Sequence, residues 1–264
     1  MDVLTPRSLD EALRMKADHR EALVVQGGTD VMNALNFDRA RPDVLLNLNE
    51  VRELCGWSQE DGMLRLGAGL TYTEAMQEPL ASAFPALAEA SRTVGSPQIR
   101  NRGTIGGNLG TASPAGDALP PLLVEGAEIE LGSVRGTRRL ALTEFLVGPK
   151  RNALAEDELI LAVLVEPSGQ PQTFMKVGPR NAMVIAVCSL ALVADRERGE
   201  LRAAFGSAAP VARLVSSPLD GAEAFPDRVA EAASPIDDVR GTATYRRHAL
   251  RVLTRRALDR CLAQ

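Results

Sequence analysis

Three cysteines, two histidines and 3% aromatic residues are what this 264-residue chain has least of, and each scarcity removes a class of chemistry. Cys55, Cys188 and Cys261 lie far apart without a C-x-x-C pair, which excludes a disulfide framework and a four-thiolate zinc or iron–sulfur site. His19 and His248 sit among charged residues and read as surface side chains, leaving no material for a zinc cluster or a Ser-His-Asp constellation. No Gly-Lys-Ser/Thr closes a phosphate loop, and Gly67-Ala68-Gly69 lacks the third glycine of a dinucleotide fingerprint. A formal charge of −4 carries no global basic excess of the kind nucleic-acid binding favours. No apolar run approaches the ~20 residues of a membrane span, and Met1 to Leu13 is too polar for a signal peptide. These absences predict a protein of the reducing cytoplasm with no nucleic-acid partner.

What is present is enough apolar material, 45% of residues, for a real core. Ser8-Leu9-Asp10-Glu11 has capping-box spacing and predicts a helix through about Ala17. Ala22 to Val25 reads as a strand entering Gln26-Gly27-Gly28, and Val31, Met32 and Leu35 have helical spacing; with the apolar run Val44 to Leu48 this makes a β-α-β unit. After Val51 hairpins replace βα alternation. Met63 to Leu66 follows the turn residues Gln59 to Gly62, and Glu128 to Leu131, Arg138 to Leu142 and Leu159 to Val165 read as further strands. A second capping-box spacing at Thr71 to Glu74, a helix over Pro85 to Val94 and another over Leu119 to Val124 place helices on this mainly antiparallel sheet. Pro167 to Pro171 is the best linker. Beyond it Phe174 to Val177 and Leu201 to Gly206 read as strands, while Val184 to Ala194 is a strand or a buried helix. The last helix carries a stripe of Tyr245, Ala249, Val252, Leu253, Ala257 and Cys261, with Arg246, Arg247, Arg251, Arg255 and Arg260 off it, an arginine face that reads first as solvated and second as a dock for a neighbouring subunit.

The stretch Arg100 to Asp117 stands apart: five glycines, small hydroxyl residues and a closing carboxylate, with little apolar area to bury. It reads as exposed backbone offered to a ligand, since glycine turns let a ligand approach the main chain and align N–H groups for phosphate oxygens. A lone Gly-Gly is most often a plain turn. Here Gly27-Gly28-Thr29-Asp30 lies where a strand feeds a helix, a second anion-binding geometry.

Val24 to Val31, the block Gln98 to Asn108 with its Ser113-Pro114-x-x-Asp117 tail, and Lys176-x-x-x-Arg180-x-Ala182 together resemble the FAD-binding medium subunit of molybdenum hydroxylases, the xanthine dehydrogenase and aerobic carbon monoxide dehydrogenase family. The likeness runs in order through Ile236 to Gly241 and Tyr245-Arg246-Arg247. It implies an α+β chain: a two-part FAD-binding domain over residues 1–167, with a small α/β part (1–51) and a mainly antiparallel α+β part (52–167), then a C-terminal α+β domain over 172–264 with a three-stranded antiparallel sheet and helices.

The same likeness implies that the FAD pyrophosphate lies between two loops, Val25, Gln26, Gly27, Gly28, Thr29, Asp30 and Val31 on one side and Thr104, Ile105, Gly106, Gly107 and Asn108 on the other. Asp117, Ile160 and Lys176 match positions that contact the rest of the cofactor; Thr111 and Ser113 are weaker candidates. Asp117 could accept from a ribityl hydroxyl or serve as the cap of the helix that follows, and Lys176 could favour negative charge on reduced flavin. Val184 departs from the family, where an acidic residue commonly precedes the Ile-Ala pair. The expected function is electron relay without a side-chain nucleophile or metal in this chain. A small subunit would hold [2Fe-2S] clusters, a large subunit the molybdopterin cofactor, the assembly would be a dimer of heterotrimers, and the acceptor NAD, oxygen or a quinone. The rivals are a self-sufficient FAD oxidase and a non-redox nucleotide-binding module.

Overall fold

The computed structural model describes residues 1–263, the side chain of Glu60 excepted; Gln264, the last residue of the predicted second domain, lies outside the described residues. The chain opens with β1 (Asp2–Leu4), α1 (Leu9–Asp18), β2 (Leu23–Val25), α2 (Val31–Asn36) and β3 (Val44–Asn47). All three strands are parallel in the order β1-β3-β2. Ser8 caps α1 by accepting the Glu11 N–H at 3.2 Å, and Glu11 reaches back to the N–H of Arg7 at 2.7 Å, one residue beyond the reciprocal partner of a capping box.

The next part carries β4 (Trp57–Glu60), β5 (Met63–Gly67), α3 (Leu80–Ala83), α4 (Pro85–Thr93), α5 (Pro97–Arg100), α6 (Ile105–Thr111) and α7 (Leu119–Val124). It continues with β6 (Glu128–Ser133), β7 (Gly136–Ala141), α8 (Leu142–Phe145), β8 (Leu146–Gly148), β9 (Arg151–Asn152) and β10 (Leu159–Val165). An antiparallel sheet in the order β4-β5-β10-β6-β7 forms its frame. The first hairpin turns at Asp61 and Gly62, both at positive φ, so Gln59 and Glu60 belong to the strand rather than to the turn.

The third part has β11 (Gln172–Val177), β12 (Cys188–Asp195), β13 (Glu200–Gly206), β14 (Arg213–Pro218), α9 (Phe225–Ala232) and α10 (Ala243–Leu262). Its antiparallel sheet has four strands, β11-β12-β13-β14, where the resemblance implied three. The fourth, Arg-Leu-Val-Ser-Ser-Pro, is half exposed and has no apolar run to announce it. β12 is a strand, and every one of its residues is buried because both faces are covered. Ala191 and Val193 face the central core with Phe174 and Ala204; Cys188, Leu190, Leu192 and Ala194 face α9 and α10 with Phe205 and Phe225. Double-sided burial is why its sequence is a continuous apolar run that periodicity could not separate from a helix.

Two expectations fail here. The glycine stretch is not exposed backbone: its centre is α6, whose Ile105 and Leu109, four apart, are fully buried, and Ala112 closes the helix at φ 44°. Each interior glycine costs a helix ~1 kcal/mol relative to alanine, so this helix is sustained by packing and by the Thr104 cap, which accepts the Gly107 N–H at 2.9 Å. On α10 the buried seam is Arg246, Ala249, Leu250, Leu253, Thr254, Ala257, Leu258 and Cys261, whereas Tyr245 is 47% exposed. The seam is rotated from the expected stripe because Arg246 goes inside to satisfy backbone carbonyls.

Candidate functional site

A cleft of about 1270 Å³ runs between the three parts, above the ~300–1,000 Å³ typical of pockets for drug-sized ligands. Two close backbone approaches build it. A Cβ on Gly27 would sit 2.0 Å from the Arg102 carbonyl oxygen, and one on Gly106 would sit 2.6 Å from the Ala68 carbonyl oxygen. The first contact seats the β2–α2 loop on the segment before α6; the second seats α6 on the end of β5. Side chains tie the same seam: Arg102 Nη2 donates to the Gln26 carbonyl at 3.3 Å and to Asn49 Oδ1 at 2.8 Å, and Thr111 Oγ1 bonds Asp30 Oδ2 at 2.9 Å.

The two glycine segments are therefore brought together, with different roles. In α6 the N–H groups of Ile105, Gly106 and Gly107 bond Leu70 O, Ala68 O and Thr104 Oγ1 at 2.8–2.9 Å, so these amides are already used. The N–H groups of Gly27, Gly28, Thr29, Asp30 and Val31 have no protein acceptor among the described residues. With Gly28 at φ +77° this run precedes the first turn of α2, a concavity of donors suited to phosphate oxygens. The amides left free for an anion thus belong to the first segment, while those at the start of the second are taken up by the protein.

Of the residues expected to hold a cofactor, Gln26, Gly27, Gly28, Thr29, Asp30, Val31, Thr104, Gly106, Gly107, Asn108, Thr111, Asp117 and Ile160 line the cleft, as does Ser113. Val25, in β2, and Ile105, in the central core, do not. Lys176 does not line it either. Its ammonium is buried and donates to Asp117 Oδ2 at 2.6 Å and to the carbonyl and hydroxyl oxygens of Thr93 at 3.2 and 3.4 Å.

Asp117 is buried, and its second oxygen, Oδ1, has no partner. It does not cap α7, whose cap position is Ala118 without a side-chain bond, so of the two readings the cap is set aside. Burial pushes its carboxyl above the usual range, opposed by the charge and hydrogen bond of Lys176. Asn108 Oδ1 and Ser207 Oγ are likewise buried without partners, and both residues line the cleft. Unpaired buried acceptors are costly, so three on one cleft fit a ligand that brings hydroxyl and N–H donors.

Several cleft residues escaped the sequence reading. Tyr72 is buried beneath Gly103, where a Cβ would meet its ring at 3.1 Å, and its phenol is pushed up by burial and by the charges of Asp117 and Asp30. Its only sequence signal was a place inside a capping box. Ser207, Asp238, Arg240 and Arg246 come from the third part. The segments holding the last three carry the family likeness, and helical spacing places Arg246 off the apolar stripe, whereas it is buried. Val184 lines the cleft with Met183 and Ile185; it packs against Gly178, where a Cβ would meet its Cγ2 at 2.5 Å. Among the described residues there is no group of three or more His, Cys, Asp or Glu side chains placed to hold a metal, and no helix long and apolar enough to cross a membrane.

Comparison with known proteins agrees with this geometry. The family described as the FAD binding domain in molybdopterin dehydrogenase matches residues 1–167. The xanthine dehydrogenase FAD-binding subunit of Escherichia coli O157:H7 is 30% identical over 276 aligned residues, covering 97% of this chain and 94% of its own. The nicotine 6-hydroxylase medium subunit of Paenarthrobacter nicotinovorans is 30% identical, covering 96% and 94%. Among solved structures, carbon monoxide dehydrogenase from Hydrogenophaga pseudoflava, lacking the Mo-pyranopterin moiety of its cofactor, matches with a TM-score of 0.92 at 25% identity over 100% of this chain and 97% of that one. With the family matched over more than half its length and relatives aligned end to end, the chain belongs to the FAD-binding subunits of the molybdopterin dehydrogenases.

Proposed function

We propose that this chain is the electron-relay subunit of a molybdenum hydroxylase complex, in which FAD held in the cleft passes electrons from iron–sulfur clusters of a small subunit to an external acceptor. The observation that carries the reading is the pairing, on one cleft, of the free amides of residues 27–31 with the buried, unpartnered acceptors of Asn108 and Asp117. A dinucleotide presents a matching set, anionic oxygens at one end and hydroxyl and N–H donors along the rest. Bound FAD would supply one- and two-electron transfer. Gly27 to Val31 would hold the pyrophosphate, α6 would offer an unobstructed surface through Gly107 and Gly110, and Asp117 would accept from a hydroxyl. Lys176 acts behind Asp117, its charge and hydrogen bond opposing the burial that pushes the carboxyl up. Val184, an apolar side chain at a commonly acidic position, removes one polar contact and changes flavin potential or acceptor choice more than affinity.

The reading further takes residues 1–167 and 172–264 as two domains, a large molybdopterin subunit as the site of substrate hydroxylation, assembly as a dimer of heterotrimers, a cytoplasmic location, and NAD, oxygen or a quinone as acceptor. The names of the relatives, which call them subunits of dehydrogenases and hydroxylases, support a multisubunit setting. The test is reconstitution. The purified chain mixed with FAD acquires flavin absorbance, and anaerobic addition of the reduced iron–sulfur partner bleaches it. A chain that takes up no flavin ends the proposal, and one that turns over a small substrate alone replaces relay with an oxidase.

A further inference from the structure

One buried guanidinium draws together three cleft-lining segments of the third part. Arg246, in the first turn of α10, is 2% exposed. Its Nη1 donates to the carbonyls of Val187, at 2.7 Å, and Ser207, and its Nη2 to Asp238 Oδ1 at 2.6 Å. Val187 follows the cleft residues Met183 to Ile185, Ser207 precedes Ala209 and Pro210, and Asp238 lies between Ile236 and Arg240, all on the cleft. Among the described residues no other side-chain hydrogen bond joins these segments to one another. Arginine's planar fork suits this task, since it can serve several carbonyl and carboxylate oxygens at once.

Ser207 is the unusual member. It is a non-glycine residue at φ 60°, in the left-handed region that a side chain adopts only when its surroundings hold it there. Its carbonyl is gripped by Arg246 and its N–H by the Pro114 carbonyl at 2.7 Å, so it joins the end of β13 to the tail of the glycine stretch. Its hydroxyl is buried, has no partner and belongs to a residue lining the cleft. Strain and an unpaired buried hydroxyl at one residue are two costs that a purely structural turn would shed by using glycine.

We propose that Arg246 is a positioning residue for the cofactor cleft, acting through Ser207, whose hydroxyl is a further hydrogen-bonding contact to the bound FAD. This rests on the reading of the cleft as an FAD site and extends that site into the third part of the chain.

The test compares Ser207→Gly, Arg246→Lys and the double variant in the full chain loaded with FAD, following flavin release by recovery of its fluorescence, melting temperature, and amide exchange of the flavin-free protein. Ser207→Gly relieves the backbone, so without flavin it melts no lower than wild type, yet it releases FAD about fivefold faster, the scale of one lost hydrogen bond. Arg246→Lys, which keeps the charge and loses the fork, releases FAD about tenfold faster and raises exchange at residues 183–187, 207–209 and 236–241. Because the arginine acts through the serine, the double variant releases FAD no faster than Arg246→Lys alone. Arg228→Ala removes an arginine tied to Ser216 O and Ser217 Oγ away from the cleft, and leaves release unchanged. Wild-type release from Ser207→Gly, additive effects in the double variant, or an Arg228→Ala effect equal to that of Arg246→Lys would each overturn the inference. A wild-type chain that retains no FAD defeats the functional reading itself, whereas retention with indistinguishable variants defeats this inference alone.

Discussion

The pair Lys176–Asp117 offers a test that needs no cofactor. The two groups meet at 2.6 Å with side-chain exposures of 4% and 10%, so replacing Lys176 by methionine strands a carboxylate in a place that water barely reaches. Breaking a buried pair from one side costs about 3–5 kcal/mol. The cost depends on pH, with a sign fixed by the direction of the shift. Burial already holds the Asp117 carboxyl above its usual range with Lys176 opposing, so losing Lys176 drives it higher. A carboxyl whose folded pKa exceeds its unfolded value of about 3.9 binds more protons when folded, so stability falls as pH rises between the two values, at about 1.4 kcal/mol per pH unit. Lys176→Met should therefore be close to wild type at the acid end, where Asp117 is neutral, and suffer its full loss near neutrality. At ~2–4 °C per kcal/mol the neutral loss is on the order of 10 °C in melting temperature. Urea unfolding of the flavin-free chain from pH 4.5 to 8 measures it directly. Lys176→Met/Asp117→Asn should recover most of the loss and flatten the pH dependence. A single variant that loses less than about 1 kcal/mol, or loses the same amount at every pH, would show that the pair is not buried as described.

The backbone seam is equally exposed to test. Gly27→Ala places a methyl 2.0 Å from the Arg102 carbonyl, so the loop must lift; the expected cost is about 1–3 kcal/mol by chemical unfolding, with FAD retention lost, and an alanine variant that keeps wild-type retention would refute the close approach. Arg102→Ala removes the bonds to Gln26 O and Asn49 but leaves the backbone contact, so titration with FAD should show weaker affinity without a large drop in melting temperature. Thiol chemistry checks the third part: Cys188 and Cys261 are fully buried with thiols pushed up to about 12, so a native chain should be alkylated at Cys55 alone and at all three cysteines in urea.

Which features the sequence exposes follows from how local their causes are. The β2–Gly27-Gly28–α2 unit is legible because strand propensity, a glycine turn and helical spacing lie within some fifteen residues. The prolines that open α4 and α7, and the Thr71–Glu74 box with its reciprocal bonds, are likewise local devices. β14 is not legible, because its half-exposed sequence becomes a strand only through pairing with β13. Nor is the helical state of Ile105 to Thr111, since three glycines argue against a helix that Ala68, Leu70 and the core then impose. The likeness to the family brought most of the cleft residues together, but it could not say that Lys176 stands behind Asp117 or that Arg246 is inside.

Those two corrections have one physical cause. Both Lys176 and Arg246 are cations that composition alone assigns to solvent, and both are buried because a partner of opposite charge or a set of carbonyl oxygens is supplied by a distant segment: Asp117 and Thr93 for the lysine, Val187, Ser207 and Asp238 for the arginine. Removing either cation leaves its acceptors unpaired within or beside the cleft, a larger penalty than the net gain of forming the bonds. The cleft is thus held by two buried cations, Lys176 behind its wall and Arg246 at the lining itself, with glycine backbone beside them. Its faces can present small, rigid surfaces and unpaired acceptors to a ligand because both cations spend their donors on protein oxygens and so fix those faces. Substitutions of these two cations should loosen ligand binding through the geometry of Asp117 and Ser207, while substitutions of the glycines should block it outright.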